Sequence, residues 1–157
     1  MPPLNIVLHQ PEIPSNTGNI ARTCLATGSR LHLVKPLGFS IDDRQLKRAG
    51  LDYWDEVDVQ LWDSLDALFA ATAADSPRRF LFTTKTHRPY YTVKYLPGDW
   101  FIFGRETKGL PEILLAENEP QCVTIPMTNA TRSLNLSVSV GVAIFEARRQ
   151  FAAEQAF

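Results

Sequence analysis

Short apolar runs alternate with helical patterns along most of this chain, and that alternation restricts the folds it can adopt. Six runs rich in β-branched and aromatic residues predict strands at 5–9, 30–34, 57–61, 80–84, 100–104 and 123–126. Helical patterns between and after them predict helices at 17–27, 43–49, 64–74, 111–116 and 135–153. Because strands that alternate with helices form βαβ units, the sequence predicts an α/β fold with a mostly parallel sheet and helices on both faces.

The length of 157 residues is that of one ordinary domain. No linker, repeat or low-complexity tract divides the sequence, so residues 1–157 are expected to form a single domain. Cys24 and Cys122 lie far apart without the spacing of a metal site, and we expect two buried thiols and no bound metal. No apolar run approaches the roughly 18 residues that a membrane span needs, which favours a soluble, cytoplasmic protein.

The net charge of -1 gives no general attraction to a polyanion, but the charges are unevenly placed. Residues 51–74 contain six acidic and no basic residues, whereas 78–108 contain seven basic and two acidic residues. Tyr90, Tyr91 and Tyr95 lie among the basic residues. The basic segment either presents ordinary solvated charges or binds a phosphate backbone while its tyrosines stack on bases, and the sequence leaves both open.

A glycine-containing turn follows the fifth predicted strand. That strand runs directly into the sequence GRETKGLP at 104–111. Ligands of open α/β sheets bind outside the carboxyl ends of the strands. A ligand approaches the backbone closely only where side chains are absent, and Gly104 and Gly109 supply that absence. We therefore predict a ligand site at this turn.

Two further segments near strand ends carry polar side chains typical of binding sites. The first, residues 11–22, is a proline-containing loop that leads into a predicted helix N-terminus with Asn16, and it includes Arg22, a combination that suits an anionic group. A capped helix with a surface arginine is the alternative for this segment. The second comprises VTIPM at 123–127 and, after a polar loop, TRSLNLS at 131–137. The chain contains no GxGxxG, P-loop or nucleophile-elbow sequence, which disfavours the commoner nucleotide-binding and hydrolase classes.

Three segments of the chain resemble, in the same order, the motifs of the SPOUT RNA methyltransferases. They are NTGNIAR at 16–22, FGRETKGL at 103–110, and IPM at 125–127 with RSLNLS at 132–137. The resemblance covers essentially the whole chain and is greatest to the minimal members that methylate the wobble nucleotide of tRNA. The sequence RAGLDYW at 48–54 is similar to a segment of that group. The resemblance implies a C-terminal trefoil knot, S-adenosyl-L-methionine bound in the loops of the knot, and a homodimer in which both subunits build each RNA site.

The resemblance also implies which residues form the site. The cofactor-binding positions are Phe82, Gly104, Ile125 and Ser133, and the catalytic positions are Asn16, Arg22, Glu106, Ser133 and Asn135. Family members are thought to activate the ribose 2′-hydroxyl through the arginine. Because a guanidinium hardly deprotonates, we expect Arg22 to position the adjacent phosphate and to stabilise alkoxide charge. We expect Glu106 to orient Arg22, with capping of the next turn as the alternative.

The expected RNA contacts are Arg44, Lys47 and Arg48 on one face of the second helix and Arg132 beside the cofactor loop, with an ordinary solvated face as the alternative. The resemblance leads us to expect a small residue or proline at the position of Arg105, and this arginine either contacts RNA or alters the turn. The sequence thus predicts a 2′-O-methyltransferase that acts on the wobble cytidine or modified uridine of tRNA. The alternatives are a SPOUT enzyme acting on ribosomal RNA or another tRNA position, and a noncatalytic RNA-binding module.

Overall fold

The computed structural model describes residues 1–49 and 53–155, which form one six-stranded sheet covered by helices. The strands are β1 (Asn5–His9), β2 (Arg30–Val34), β3 (Val59–Trp62), β4 (Arg79–Phe82), β5 (Trp100–Phe103) and β6 (Cys122–Val123). The helices are α1 (Pro14–Thr27), α2 (Arg44–Ala49), α3 (Leu65–Ala71), α4 (Glu112–Glu117) and α5 (Leu136–Gln155). The strand order is β3-β2-β1-β5-β4-β6, and every pairing is parallel. The predicted α/β fold is confirmed.

Alternate side chains of the strands enter two separate hydrophobic cores. In β1, Ile6 and Leu8 share a core with side chains of α1 and α5, whereas Val7 shares the other core with side chains of α3 and α4. Because successive strand residues point to opposite faces, this pattern places helices on both sides of the sheet. Cys24 and Cys122 lie in opposite cores as free, buried thiols, as expected, and burial raises the pKa of Cys24 to about 12.

Strands β1 and β2 have the predicted bounds, but the other four strands differ. β3 begins at Val59 instead of 57 because a 3-10 turn at Trp54–Glu56 precedes it, and β4 and β5 end earlier than predicted, at Phe82 and Phe103. β6 is only two residues long. Beyond it, Thr124 donates its N–H to Arg88 O at 2.9 Å and accepts the N–H of Tyr90 at 2.8 Å, so the chain joins another segment instead of continuing the β6 ladder.

Local sequence explains where most helices begin and end. α1 has Pro14 in its first turn and ends at Gly28, whose φ of 66° is the left-handed conformation that glycine favours. The side chain of Asn135 accepts the N–H of Ser137 at 2.9 Å and so caps α5, which confirms the predicted C-terminal helix.

No helix in the described ranges combines the length and apolarity that crossing a membrane requires. Residues 50–52 of the RAGLDYW segment lie outside those ranges.

A polar cluster centred on His32 is buried within the sheet. Trp62 donates its indole N–H to His32 Nδ1 at 3.0 Å, and His32 Nε2 lies 3.0 Å from Asn5 Oδ1. Nδ1 must therefore be the acceptor nitrogen and Nε2 the N–H donor, so both bonds require a neutral imidazole. Burial, with a smaller contribution from Arg30, lowers the pKa of His32 to about 4. This cluster ties β1, β2 and β3 together and makes the sheet sensitive to acid.

Candidate active site at the carboxyl edge of the sheet

The strand order reverses between β1 and β5, and a crevice opens at their carboxyl ends. From β1 the chain proceeds through β2 to β3 on one side, whereas β5, β4 and β6 lie on the other. α1 follows β1 on one face of the sheet, and α4 follows β5 on the opposite face. Such a reversal separates the two loops and is the usual ligand site of open α/β sheets. The turn at 104–111 lies here, as predicted from its sequence.

Two carboxylates join the loop before α1 to the turn after β5. The carboxylate of Glu106 accepts the backbone N–H groups of Glu12 and Ile13, each at 2.8 Å. In return, Glu12 Oε1 accepts the N–H of Thr107 at 3.1 Å and its hydroxyl at 2.7 Å. These bonds from Thr107 lower the pKa of Glu12, and the positive charges of Arg105 and Lys108 act in the same direction. The reciprocal bonds hold the two loops in a fixed relation.

Asn16 connects this pair of loops to the third motif. Its amide Nδ2 donates to Glu106 at 3.3 Å, and its Oδ1 accepts the amide of Asn135 at 3.1 Å. Asn16 is only 6% exposed, so these bonds are shielded from competing water. Asn135 also caps α5, and the start of that helix is thereby fixed to the start of α1. Residues from all three motifs therefore meet, as the resemblance implied.

A cavity of about 740 Å³ lies beside these hydrogen bonds. The lining residues include the predicted positions Phe82, Gly104, Ile125, Ser133, Asn16, Glu106, Asn135 and Arg132. Phe82 stacks on Phe103 with ring centroids 4.6 Å apart, which provides an apolar wall. The volume is within the range of ligand pockets in proteins, and the mixture of apolar walls and a few polar groups is typical of sites for organic ligands.

Gly104 has a tighter requirement than the sequence suggested. A Cβ atom there would lie 2.1 Å from Gly109 C and 2.2 Å from Leu110 N, because the turn folds back onto its own beginning. Gly109 adopts a φ of 67° and donates its N–H to Arg105 O at 2.9 Å, which closes the turn. The turn itself therefore excludes a side chain at Gly104, whether or not a ligand approaches.

The structure does not bring Arg22 to the cavity. Arg22 is exposed on α1 and is absent from the cavity lining, and among the described residues no hydrogen bond joins it to Glu106. Within one copy of the chain, the Glu106 carboxylate binds Asn16 and the loop before α1, so the orientation of Arg22 by Glu106 stays a prediction. Among the described residues Glu106 accepts no hydrogen bond from its own next turn, which contradicts the capping alternative.

The predicted RNA-binding residues fall into two groups. Arg44, Lys47 and Arg48 are exposed on α2, which packs against α1 outside the cavity, whereas Arg132 lines the cavity. Of the three tyrosines considered for base stacking, Tyr95 is only 1% exposed and donates its hydroxyl to Tyr90 O at 2.6 Å. Tyr95 is a core residue and cannot stack on a base. Tyr91 is 55% exposed.

Sequence reasoning missed Glu12 and Thr107, although both lie within motifs that it singled out. The available signal was the repetition of one chemistry, since a glutamate follows each of the two strands that flank the strand-order reversal. Two loops that meet there can each use a carboxylate to bind the N–H groups of the other. Among the described residues, no cluster of three or more His, Cys, Asp or Glu side chains is suited to a metal ion.

Fold and site together define an α/β protein that binds its ligand at a strand-order reversal, with three loops contributing to one pocket. Over residues 3–145 the chain matches the SpoU rRNA Methylase family. The chain belongs to this family, in agreement with the motif resemblance.

Individual relatives agree over nearly the full length. The tRNA (cytidine(34)-2′-O)-methyltransferase of Methylovorus glucosotrophus is 52% identical over 147 residues, which cover 93% of this chain and 94% of that protein. The protein of the same name from Burkholderia ambifaria is 48% identical over 147 residues, with the same coverage. A solved structure described as giving structural insights into the 2-OH methylation of C/U34 on tRNA matches with a TM-score of 0.90 and 47% identity, and the match covers 96% of this chain and 97% of that one.

Proposed function

We propose that the protein transfers a methyl group from S-adenosyl-L-methionine to the ribose 2′-hydroxyl of the wobble nucleotide of tRNA. The observation that carries this proposal is the convergence of Glu106, Asn16 and Asn135 beside one ligand-sized cavity. Relatives at 48% and 52% identity carry the name tRNA (cytidine(34)-2′-O)-methyltransferase. The substrate nucleotide is accordingly a cytidine or modified uridine at position 34.

The residues of the cavity suit the proposed cofactor. An adenine ring is flat and weakly polar, so it fits between apolar side chains such as Phe82 and Ile125, with backbone groups near Gly104 and Ser133 for its polar edge. When bound, S-adenosyl-L-methionine supplies a methyl group on a positively charged sulfur. The binding of cofactor and the positioning of the ribose beside it are the tasks of this chain. Asn16 and Glu106 fix two of the loops for that task, and Asn135 fixes the third.

Arg22 is the proposed activator of the reaction. A ribose 2′-hydroxyl is a weak nucleophile until its proton is removed or strongly polarised. Because the guanidinium of Arg22 does not act as a base near neutral pH, it holds the adjacent phosphate in place and stabilises the developing alkoxide charge. The proton leaves through the phosphate or through water. This role requires Arg22 to reach a cavity, but Arg22 does not line the cavity of its own chain.

We propose that the chain forms a homodimer, in which Arg22 reaches the cavity of the second copy. α5 carries an exposed apolar stripe, in which Val138 is 51% and Phe145 is 55% exposed. Gly141 lies between them, and a Cβ atom there would meet nothing within 4 Å in a single chain. Such a stripe is expected where two helices of separate subunits approach closely. In the dimer, Arg22 of one copy acts at the cavity of the other.

The tRNA docks by its anticodon loop against the basic residues around this site. Arg44, Lys47 and Arg48 form an exposed patch on α2 that binds phosphates, and Arg132 lies at the cavity itself. Tyr91 is the exposed tyrosine of the basic segment and is available for stacking on an unpaired base. These contacts would position one nucleotide of a single-stranded loop.

Three further properties belong to the same proposal. The whole chain acts as one methyltransferase domain in the cytoplasm, where its tRNA substrate is found. Its C-terminal part is threaded into a trefoil knot. Support for the threading comes from the path of the chain, since β6 lies at an edge of the sheet whereas α5 packs against α1 and β5 nearer the middle. Pulling both termini in an optical trap would leave a stretched chain shorter than its full contour length if the knot is present.

Methyl transfer to unmodified tRNA tests the function directly. The purified protein is incubated with labelled S-adenosyl-L-methionine and total tRNA, and the labelled nucleotide is mapped. We expect label on the 2′-oxygen at position 34. Label only in ribosomal RNA or at another tRNA position would assign the alternative substrates, and cofactor binding without any transfer would contradict the enzyme proposal.

Variants of Arg22 test the mechanism and the dimer together. Arg22→Ala should lower the transfer rate by roughly 10²–10³-fold, as expected for the loss of one charge-stabilising donor, while leaving cofactor affinity unchanged. Arg22→Lys should recover little, because an ammonium lacks the planar fork of the guanidinium. Near-normal turnover by Arg22→Lys would contradict the positioning role.

Mixing two inactive variants distinguishes a shared site from a site within one chain. Random mixing of Arg22→Ala and Glu106→Ala chains makes half of the dimers heterodimers. In each heterodimer, one of the two sites combines the intact Glu106 of one chain with the intact Arg22 of the other, and the second site lacks both. The mixture should therefore recover about a quarter of the wild-type activity. No recovery, in a mixture shown by mass spectrometry to contain heterodimers, would contradict a site built from two copies.

A further inference from the structure

A second cavity, of about 400 Å³, adjoins the candidate active site. His9 and Gln10 at the end of β1 form one side of it, and the turn after β5 forms another. Five residues line both cavities: Lys85, Arg105, Lys108, Gly109 and Leu110. The turn is therefore a common wall of the two cavities, and the function proposed above uses only the larger cavity.

The lining of this second cavity carries excess positive charge. Its cationic side chains are Lys85, Arg105 and Lys108, and its only acidic residue is Glu112. Lys85 forms an ion pair with Glu112 at 2.8 Å, which compensates that lysine. Arg105 donates to the neutral amide oxygen of Gln10 at 3.3 Å. No ion pair within 4.0 Å involves Arg105 or Lys108 in the described part of the chain. Both charges act at longer range on the Glu12 carboxylate, so they are only partly compensated within the chain.

Two buried nitrogens at the same place lack hydrogen-bond partners. They are His9 Nδ1 and Arg105 Nε, each of which is inaccessible and unpaired among the described residues. Buried polar atoms are nearly always paired, so two unpaired atoms beside one cavity mark a place where a bound group would complete the hydrogen bonding. Burial, together with the charge of Arg105, lowers the pKa of His9, so this imidazole is neutral at pH 7 and offers one N–H as a donor. An oxyanion would complement the guanidinium of Arg105.

We propose that this second cavity binds a phosphate group of the RNA strand next to the nucleotide that is methylated. The planar fork of Arg105 matches two phosphate oxygens, and Lys108 adds a compact charge at the rim. The inference rests on the proposed function, because only an RNA substrate in the larger cavity places a phosphodiester beside the shared turn. It gives a role to Arg105, which lines both cavities.

Binding of RNA at several salt concentrations tests the subsite without depending on catalysis. The probe is an unmodified anticodon stem-loop, and its dissociation constant is measured between 50 and 300 mM salt, roughly the range over which phosphate contacts dominate. Arg105→Gln and Lys108→Gln should each weaken binding by roughly tenfold at low salt and reduce the slope of log affinity against log salt by about 0.7 to 1.

Arg30→Gln is the matched control, because it removes the same charge at the opposite, amino-terminal edge of the sheet, where Arg30 pairs with Asp58. A salt slope for Arg105→Gln and Lys108→Gln equal to that of the control would overturn the subsite. So would loss of cofactor binding by Arg105→Gln with an unchanged salt slope, since Arg105 would then only shape the turn. Lys108 is exposed, so its variant keeps the test valid even if Arg105→Gln fails to fold.

Inorganic phosphate distinguishes the two sources of the anion. If the subsite receives an RNA phosphate, free phosphate should compete with the stem-loop in the wild type and not in Arg105→Gln. Phosphate that binds through Arg105 without displacing RNA would overturn the proposal in favour of a site for a free anion. A wild-type protein that binds the stem-loop through Arg105 but transfers no methyl group would refute the proposed function alone. One that methylates tRNA with no effect of Arg105→Gln on the salt slope would refute the subsite alone.

Discussion

The loops at the carboxyl edge of the sheet and the outer faces of α1 and α5 differ in how complete they are within one chain. At the carboxyl edge, Glu12, Glu106, Asn16 and Asn135 are mutually hydrogen bonded, and the turn at Gly104 is closed on itself. On the outer faces, Arg22 and the stripe of α5 meet solvent. The cofactor half of the proposed site is therefore preformed by folding, whereas the half that activates the ribose depends on association.

This difference has a thermodynamic consequence. A preformed pocket binds its ligand without the cost of ordering loops, so cofactor binding should be insensitive to protein concentration. Activity that needs a second copy should fall when the protein is diluted below the dissociation constant of the dimer. The two halves can thus be perturbed separately by substitutions in one or the other.

The largest effect is expected from Gly104→Ala, which disrupts the preformed half. Its Cβ would overlap the backbone of Gly109 and Leu110 at 2.1 to 2.2 Å, and backbone atoms in a closed turn cannot move aside cheaply. We expect a loss of about 3 kcal/mol in the free energy of unfolding, at the upper end for an overpacked site, together with loss of cofactor binding. Denaturant melts and calorimetric titration measure the two effects.

Gly109→Ala is the matched comparison for Gly104→Ala. A Cβ at Gly109 meets nothing within 4 Å, but the φ of 67° is unfavourable for alanine. The cost should therefore be about 1 to 2 kcal/mol, from the backbone alone. Equal costs at the two glycines would show that conformation and not overlap controls the turn.

The next largest effect is a loss of stability in acid, which tests the sheet that supports the preformed half. The pKa of His32 is about 4 in the folded chain and 6.5 in the reference state, so the unfolded chain binds the proton more readily. The contribution of neutral His32 is fully present above pH 6.5 and is lost as the pH falls from 6.5 towards 4. It amounts to about 3 kcal/mol.

Chemical unfolding at several pH values measures this loss. His9, whose pKa is also lowered, adds a change of the same sign. In His32→Gln the decline between pH 6.5 and 4 should become clearly shallower than in the wild type, although the variant is less stable at pH 7. An unchanged decline would mean that other groups control the acid sensitivity.

Some features of the fold and the site could be predicted from the sequence, and others could not. The alternating pattern sufficed for the strand and helix order and for a parallel sheet with helices on both faces, because apolar period and chain direction are local properties. Motif resemblance placed Asn16, Glu106 and Asn135 near one pocket. It did not show that Glu106 binds the backbone of the loop before α1, since a carboxylate in a turn has many available donors.

Other features depended on contacts between distant segments. The pairing of Thr124 with the stretch around Arg88 shortened β6, and no local pattern encodes a contact between residues 36 positions apart. Tyr95 looked like a stacking residue because it lies among basic side chains, yet the fold turns it into the core. The second cavity was equally hidden, because His9 ends β1 and Arg105 lies in the turn after β5, and the two become neighbours only when β1 pairs with β5.

The smallest expected effect comes from Gly141→Ala on the outer face of α5, and it separates folding of the chain from its association. In one chain a Cβ at Gly141 meets nothing within 4 Å and its φ is not positive, so alanine should stabilise the helix by about 0.5 to 1 kcal/mol. If α5 packs closely against a second copy at this glycine, the same methyl group should weaken the dimer. Sedimentation equilibrium at several concentrations, beside denaturant melts at one low concentration, measures both quantities. A variant that gains stability and associates as tightly as the wild type would place the dimer contact elsewhere, and Arg22 would then have to reach the cavity across a different surface.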